Sequence, residues 1–325
     1  MMLSRVADSL YWMSRYLERA EHIARLMSVQ YSALLDHEPQ DNDPSWARVL
    51  ASLRAAPPGT GENTYRVSRS LAYRITGSLT FDRRQAPSIA NALHSARENA
   101  RQVREQTSTE MWEQLNRLYL ALRSTSLETV WRTQSTDFYV DLINGLHQFH
   151  GITDSTMSNG EGWHFIQLGR YMERAQLVSS LLAFHFGGIP GTKTGPADTP
   201  FEWYNLLKMC TAFEAYCKVY TADIQPSRVA EFLVFDSEFP RSIRFAVDMV
   251  QAELQKVAPE SNFHRNGRAE RIAGRLRAYL DYGQVEEIMN DSIQAQFADI
   301  QRQCAEIHDA VFETYISYPV DAHIA

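Results

Sequence analysis

Three cysteines, Cys210, Cys217 and Cys304, are an odd number with no CxxC pair, which excludes a disulfide framework and a cysteine-based zinc site. They read as reduced, buried and inert thiols of a cytoplasmic protein. Blocks of consecutive Lys or Arg are missing too, and the formal net charge is -7, so there is no electrostatic footprint for a nucleic-acid backbone. No uncharged run of about eighteen apolar residues occurs, which leaves no membrane span. The first segment places Arg5, Asp8, Arg15 and Glu18 among its apolar residues, which excludes a signal-peptide core. GxSxG, P-loop and GxGxxG patterns are absent, and no cysteine has a recognisable base, so neither nucleotide binding by a known motif nor covalent catalysis is supported. No cofactor and no metal is expected.

What is present is an ordinary globular balance, 44% hydrophobic and 22% charged, enough to bury a large core. Proline and glycine concentrate at His37–Ser45, Ala56–Asn63, Gly151–Gly162, Gly187–Pro200 and Ala258–Gly267, which predicts loops there. Between them apolar residues recur at spacings of three and four, so helices carry the fold. Thr199, Pro200 and Glu202 fit N-cap, N1 and N3 of a capping box; Thr107 with Glu110 suggests a second cap.

Two segments return at nearly one offset. RYLERA at Arg15–Ala20 reappears as RYMERA at Arg170–Ala175, 155 residues on, and FDRRQAPSI at Phe81–Ile89 reappears as FDSEFPRSI at Phe235–Ile243, 154 residues on. A common offset for unrelated motifs predicts a duplication. The expected fold is therefore all-α, a large helical bundle of two pseudo-symmetric halves, residues 1–155 and 156–325, packed as one unit.

Both repeated Glu-Arg motifs sit on helices with more than one apolar face. Val6, Leu10, Met13, Leu17, Ala20, Ala24, Met27 and Tyr31 form one stripe of the first helix, while Tyr11, Trp12, Ile23 and Leu26 flank the side bearing Arg15, Glu18 and Arg19. In the second, Phe165, Leu168, Met172 and Ala175 form a stripe, and Ile166, Val178 and Leu181 flank Arg170 and Arg174, with Glu173 between them. Both clusters should be partly buried, and a buried guanidinium must find a partner. Two explanations stand: the glutamates neutralise arginines across a helix interface, or the motifs meet near a pseudo-twofold axis and their arginines hold a carboxylate or phosphate in a bidentate fork.

Other groups are weaker signals. Arg97, Arg101 and Arg104 share a face with Glu98 and Glu105, an ion-pair ladder before a phosphate surface. Asp236, Glu238 and Arg241 occupy a proline-containing turn; Asp236 is either an N-cap or a site residue. Glu161, in the glycine-bearing loop before the second motif helix, is placed to reach the Arg170 face. His147 and His150 are three apart on a helix, but no HExxH carboxylate accompanies them, so they read as structural.

With RYLERAE and RYMERAQ on corresponding helices, the chain resembles the bacterial alpha-E family, helical proteins named for a Glu-Arg motif. SLYW at Ser9–Trp12, ARENARQVREQTSTEMWEQLN at Ala96–Asn116, GEGWHFIQLGRYMERA at Gly160–Ala175 and FDSEFPRSIRF at Phe235–Phe245 extend the resemblance over nearly the whole length. Ala86 departs from it, standing where the family pattern has Asn. The resemblance implies a setting beside a circularly permuted ATP-grasp ligase, often with a transglutaminase-like protease and sometimes a proteasome-like hydrolase. The expectation is an auxiliary or substrate-binding partner of an amide or peptide ligase. Its Arg15, Glu18, Arg19, Arg170, Glu173, Arg174, Glu161, Asp236 and Arg241 would form an anion- or partner-binding site, with a peptide or carboxylate as ligand. The alternatives are an enzyme using a motif glutamate as acid/base and a purely structural scaffold.

Overall fold

Residues 4–36, 44–56, 70–133, 136–260, 267–290 and 293–316 are described in a computed structural model of the chain. Among them lie fifteen α-helices and no strand. The first half of the sequence contributes α1 (Ser4–Asp36), α2 (Pro44–Ser52), α3 (Leu71–Phe81), α4 (Ile89–Gln102), α5 (Thr109–Ser124), α6 (Leu127–Arg132) and α7 (Thr136–Thr156). Then come α8 (Glu161–Gly187), α9 (Pro200–Met209), α10 (Phe213–Tyr220), α11 (Pro226–Phe235), α12 (Ile243–Glu260), α13 (Arg268–Tyr282), α14 (Val285–Asn290) and α15 (Ile293–Val311).

The two motif helices are the longest, and they form the axis of the molecule. The expected stripe of α1 from Val6 to Tyr31 is buried, and so are Tyr11, Ile23 and Leu26 on its other side; Trp12 is partly covered. In α8 the stripe and the flanking Ile166, Val178 and Leu181 are likewise buried. A helix apolar on most of its circumference has to lie inside others. Accordingly α4 and α7 pack on α1, α12 and α15 pack on α8, and α1 packs directly on α8.

That central contact is parallel. Gly169 meets Tyr11, Glu173 meets Arg15 and Arg174 meets Glu18, so positions climb together along both helices. It is also close: a Cβ at Gly169 would stand 2.4 Å from the Tyr11 carbonyl oxygen, so only glycine lets the two backbones touch here.

Local signals mostly hold. Thr199 and Glu202 make the expected capping box with Pro200 at the start of α9, and residues 188–199 form the connection predicted there. The cap of α5 is Ser108, one residue past the expected Thr107; the Ser108 hydroxyl accepts from Met111 N at 3.1 Å, whereas the Thr107 hydroxyl turns back to the Arg104 carbonyl. Of the loop predicted over 151–162, only 157–160 is non-helical. Gly151 is tolerated in α7 because its neighbours keep the period, with Phe149 and Thr153 buried, and because Thr153, Ser155 and Thr156 bond carbonyls one turn back. Of the remaining predicted loops, 37–43, 57–63 and 261–266 lie outside the described residues; Ala258 ends up inside α12. The three thiols are unbridged, with Cys210 and Cys304 buried but Cys217 only half-buried. None of the described helices is long and apolar enough to cross a membrane.

Candidate functional site

The Glu-Arg motifs face each other across the α1–α8 seam and exchange partners. Glu173 of α8 receives Arg15 Nε on Oε2 at 2.7 Å and Arg19 Nε on Oε1 at 2.7 Å. Glu18 of α1 receives both prongs of Arg174, Nε on Oε1 at 2.7 Å and Nη2 on Oε2 at 2.8 Å. Each glutamate is thus held by the other helix's arginines, a geometry that sequence spacing within one helix does not reveal. The expected burial is met: Arg15, Glu18, Glu173 and Arg174 are almost fully enclosed, while Arg19 and Arg170 keep about a fifth of their side chains exposed, at 22% and 18%.

A third carboxylate joins from one turn further along α1. Glu21, fully buried, accepts from Arg25 and Arg241 and contacts His147 Nε2 at 2.8 Å on Oε1; His150 Nε2 lies 3.6 Å from its Oε2. Arg241, buried in the turn before α12, also reaches Glu18 at 3.2 Å and so bridges the two carboxylates. One turn back along α1, Arg15 Nη2 donates to Gln176 at 2.7 Å, and its Nη1 meets His308 Nδ1 of α15 at 3.1 Å. The guanidinium lies 4.7 Å from the Trp12 ring centroid.

Six guanidinium groups (Arg15, Arg19, Arg25, Arg170, Arg174, Arg241) therefore surround three carboxylates (Glu18, Glu21, Glu173), an excess of three positive charges. Burial alone would push the carboxyls up, but the arginines overcome it. Arg174 and Arg241 bring Glu18 down to about 2, Arg241 and Arg25 hold Glu21 well below the usual range, and Arg15 and Arg19 lower Glu173. The crowding shows on the cations too: burial and the neighbouring Arg25 bring Arg241 down to about 10. Burial and Arg170 lower His150.

Not every polar atom is satisfied. Arg170 Nε, Arg25 Nη1, His150 Nε2 and Glu21 Oε2 are all buried without a hydrogen-bond partner among the described residues. Arg170 itself has only a 3.9 Å ion contact with Glu18 and the ring of Tyr171 beneath it. Oxygens of Glu18 and Glu21 and a nitrogen of His150 come within 4.8 Å of one another, close enough for one metal ion. The donor set argues against it: both oxygens of Glu18 and one of Glu21 are already taken by guanidinium groups, and those charges repel a cation.

Of the residues marked from sequence, Arg15, Glu18, Arg19, Arg170, Glu173, Arg174 and Arg241 come together. Glu161 does not: it opens α8 two and a half turns before Arg170, and lines a separate 660 Å³ groove with Val6, Glu105 and Thr156. Asp236 does not either; its carboxylate accepts Glu238 N and Phe239 N, shaping the turn that delivers Arg241, and the N-cap of α12 is Ser242. Of the Arg97–Arg104 face, Glu98 is bonded to Arg97 and Arg101, while Arg104 donates to the Thr107 carbonyl at 3.2 Å and Glu105 lines the groove with Glu161. Sequence reading missed Glu21 and Arg25, and took His147 and His150 as structural. The signal for Glu21 was its place three residues after Glu18, on the same side of α1; the partners of the histidines come from another helix, which no local motif could mark.

A family model, Alpha-E, described as a predicted alpha-helical domain with a conserved ER motif, matches residues 2–316. The chain is also similar to an uncharacterized protein of Mycobacterium bovis and to two of Mycobacterium tuberculosis, each 23% identical over 335 residues. These alignments cover 97% of this chain but 37% of each relative, so the chain spans little more than a third of the length of the curated relatives it matches. No solved structure matches it.

Proposed function

The chain belongs to the Alpha-E family, and from that premise we propose that it binds an anionic group, a carboxylate or phosphate, at the seam of its two Glu-Arg motifs. In doing so it serves in the cytoplasm as the auxiliary or substrate-binding partner of an ATP-grasp amide or peptide ligase. The observation that carries this reading is Arg170: a partly exposed guanidinium, its Nε buried and unpartnered, at the edge of a cluster with three more arginines than carboxylates. A buried excess of positive charge is costly, and an incoming anion relieves it. Arg25 also has an unpartnered nitrogen, Nη1, but its side chain is buried, whereas Arg170 combines unused donors with partial exposure.

The scaffold reading has its own support in Arg15 and Arg174, which are fully paired in an enclosed interface. Such pairs hold the helices in register whatever else the protein does. The reading in which Glu18 or Glu173 acts as acid or base is weakened by the same arginines, which keep both carboxylates ionised far below neutral pH.

Thermal unfolding tests the anion site. At matched ionic strength, phosphate or a peptide carboxylate should raise the midpoint of the wild type and leave Arg170→Ala unmoved. Equal response of both proteins, or none in either, would overturn the site. The partner role is tested by co-purification with the ATP-grasp ligase and its ATP turnover with and without this chain. A ligase that neither binds nor responds to it removes that half of the reading.

A further inference from the structure

The cluster contains a proton-transfer arrangement that the Glu-Arg motifs themselves cannot supply. Glu18 and Glu173 are locked as carboxylates by bidentate or paired arginines. The buried thiols of Cys210 and Cys304 are pushed up by burial to about 11 and about 12, so neither is a nucleophile near neutrality. His147 is different. Its side chain is half-exposed, on the surface of α7, yet its Nε2 reaches inward to the fully buried Glu21. Arg25 and Arg241 keep Glu21 ionised, so it is an acceptor only. The hydrogen bond to Glu21 therefore places the imidazole proton on Nε2 and leaves the Nδ1 lone pair directed away from the cluster. A carboxylate that fixes tautomer and orientation of a histidine is the base half of a nucleophile–base–orienter relay, with the nucleophile left to solvent or substrate.

The neighbourhood fits such a role. His150, one turn further along α7, brings its buried and unpartnered Nε2 to the other oxygen of Glu21, and Glu18, which Arg170 contacts at 3.9 Å, has an oxygen within 4.8 Å of both. The same patch thus offers an anion-binding guanidinium and an oriented imidazole. We propose that His147, positioned by Glu21, accepts a proton from water attacking an ester or amide carbonyl in a substrate whose own carboxylate is held by Arg170. The water oxygen bonds to the carbonyl carbon and its proton passes to His147 Nδ1. The bond from that carbon to the leaving oxygen or nitrogen then breaks with its electron pair, and the leaving group takes the proton back from His147 where it needs one. His147 is the catalytic residue here and Glu21 a positioning residue. The substrate-holding half rests on the anion reading of Arg170 given above.

The probe is 4-nitrophenyl hydrogen succinate, which carries a carboxylate beside an activated ester, with 4-nitrophenyl acetate as the uncharged control. The wild type should release 4-nitrophenolate saturably and faster than free imidazole at the same concentration, with the succinyl ester preferred. His147→Ala should lower the rate by about 10²–10⁴-fold, and added imidazole should restore part of it. His147 is half-exposed, so circular dichroism should show this variant folded like the wild type. Glu21→Gln should slow release and erase the Nε2–H tautomer preference read from the ¹⁵N shifts of the His147 ring, a change that loss of packing alone does not produce. Release no faster than free imidazole, or unaffected by His147→Ala, overturns the proposal. If phosphate still stabilises the wild type but not Arg170→Ala, the anion site survives that failure. His147-dependent release with no succinyl preference overturns the role given to Arg170 instead.

Discussion

At the scale of single residues, Arg170 and Arg174 are the informative contrast. They lie one turn apart in one motif and touch the same carboxylate, yet Arg174 is a buried fork and Arg170 a partly exposed contact at 3.9 Å. Glu173, between them in sequence, goes to neither and pairs across the seam with Arg15 and Arg19. Arg174→Ala, which removes the bidentate partner of buried Glu18 and leaves it Arg241 at 3.2 Å, should cost about 3 kcal/mol in urea unfolding, whereas Arg170→Ala should cost under about 1 kcal/mol. Replacing Glu18 and Arg174 together by Leu and Met should recover much of the loss, since Arg241 keeps Glu21 as partner. Equal losses in the two single variants would contradict the geometry. The acid response follows from the same environments. Burial and Arg25 bring His22 down to about 3, burial brings His185 to about 4, and burial with Arg15 brings His308 to about 4, all from the usual 6.5. The unfolded chain takes up these protons first, so their contribution is complete above about 6.5 and is lost as pH falls through that window. Glu18, at about 2 against 4.5, has the same sign and adds its loss below about 4.5. Unfolding free energy measured against pH should therefore be level between about 7 and 8, decline below 6.5 and steepen below 4.5, and fall again above about 9, where the unfolded chain releases the Cys210 and Cys304 protons that the folded chain holds. A rise in stability on acidification from neutrality would refute the assignment.

At the scale of elements, the parallel contact of α1 and α8 depends on one glycine. With the Tyr11 carbonyl 2.4 Å from where a Cβ would stand, Gly169→Ala gains nothing from helix propensity that the clash does not exceed; the helices must part, and the reciprocal ion pairs lengthen. The expected cost is about 1–3 kcal/mol, with Gly169→Val worse, measured by thermal unfolding and circular dichroism. A stabilised Gly169→Ala variant would mean the helices do not approach so closely. Gly151 provides the control: nothing stands within 4 Å of a Cβ there, so Gly151→Ala should stabilise α7 by up to about 1 kcal/mol.

At the scale of the whole molecule, two long helices covered on most sides form the innermost layer. Backbone amides in the middle of α1 and α8 should be the slowest to exchange with solvent, and those of the short α14, whose Glu286, Glu287 and Met289 are exposed, among the fastest. Earlier exchange in α1 than in α14 would displace it from the centre. The two similar Phe-Asp segments share one local geometry: Ser88 and Ser242 cap α4 and α12 and each donates to the carbonyl of the aspartate six residues before, Asp82 and Asp236. Superposing residues 5–150 on 160–310 in an experimental structure should bring Arg15 onto Arg170 and Asp82 onto Asp236 in like-connected helices. Unrelated connections in the two halves would sink the duplication.

The helical class, the capping box at Thr199 and the burial of both motif helices were legible in the sequence, because periodicity and caps are properties of neighbours along the chain. The extra apolar residues around Arg15 and Arg170 already required partners. Which partners, only packing decided. A parallel crossing at Gly169 turned two similar hexamers into an exchange of charges and set Arg170 apart from Arg174, while packing brought Arg241, His147 and His150 to α1 from distant parts of the chain. Spacing along one helix fixes which side chains share a face, while the identity of what faces them depends on contacts more than a hundred residues apart.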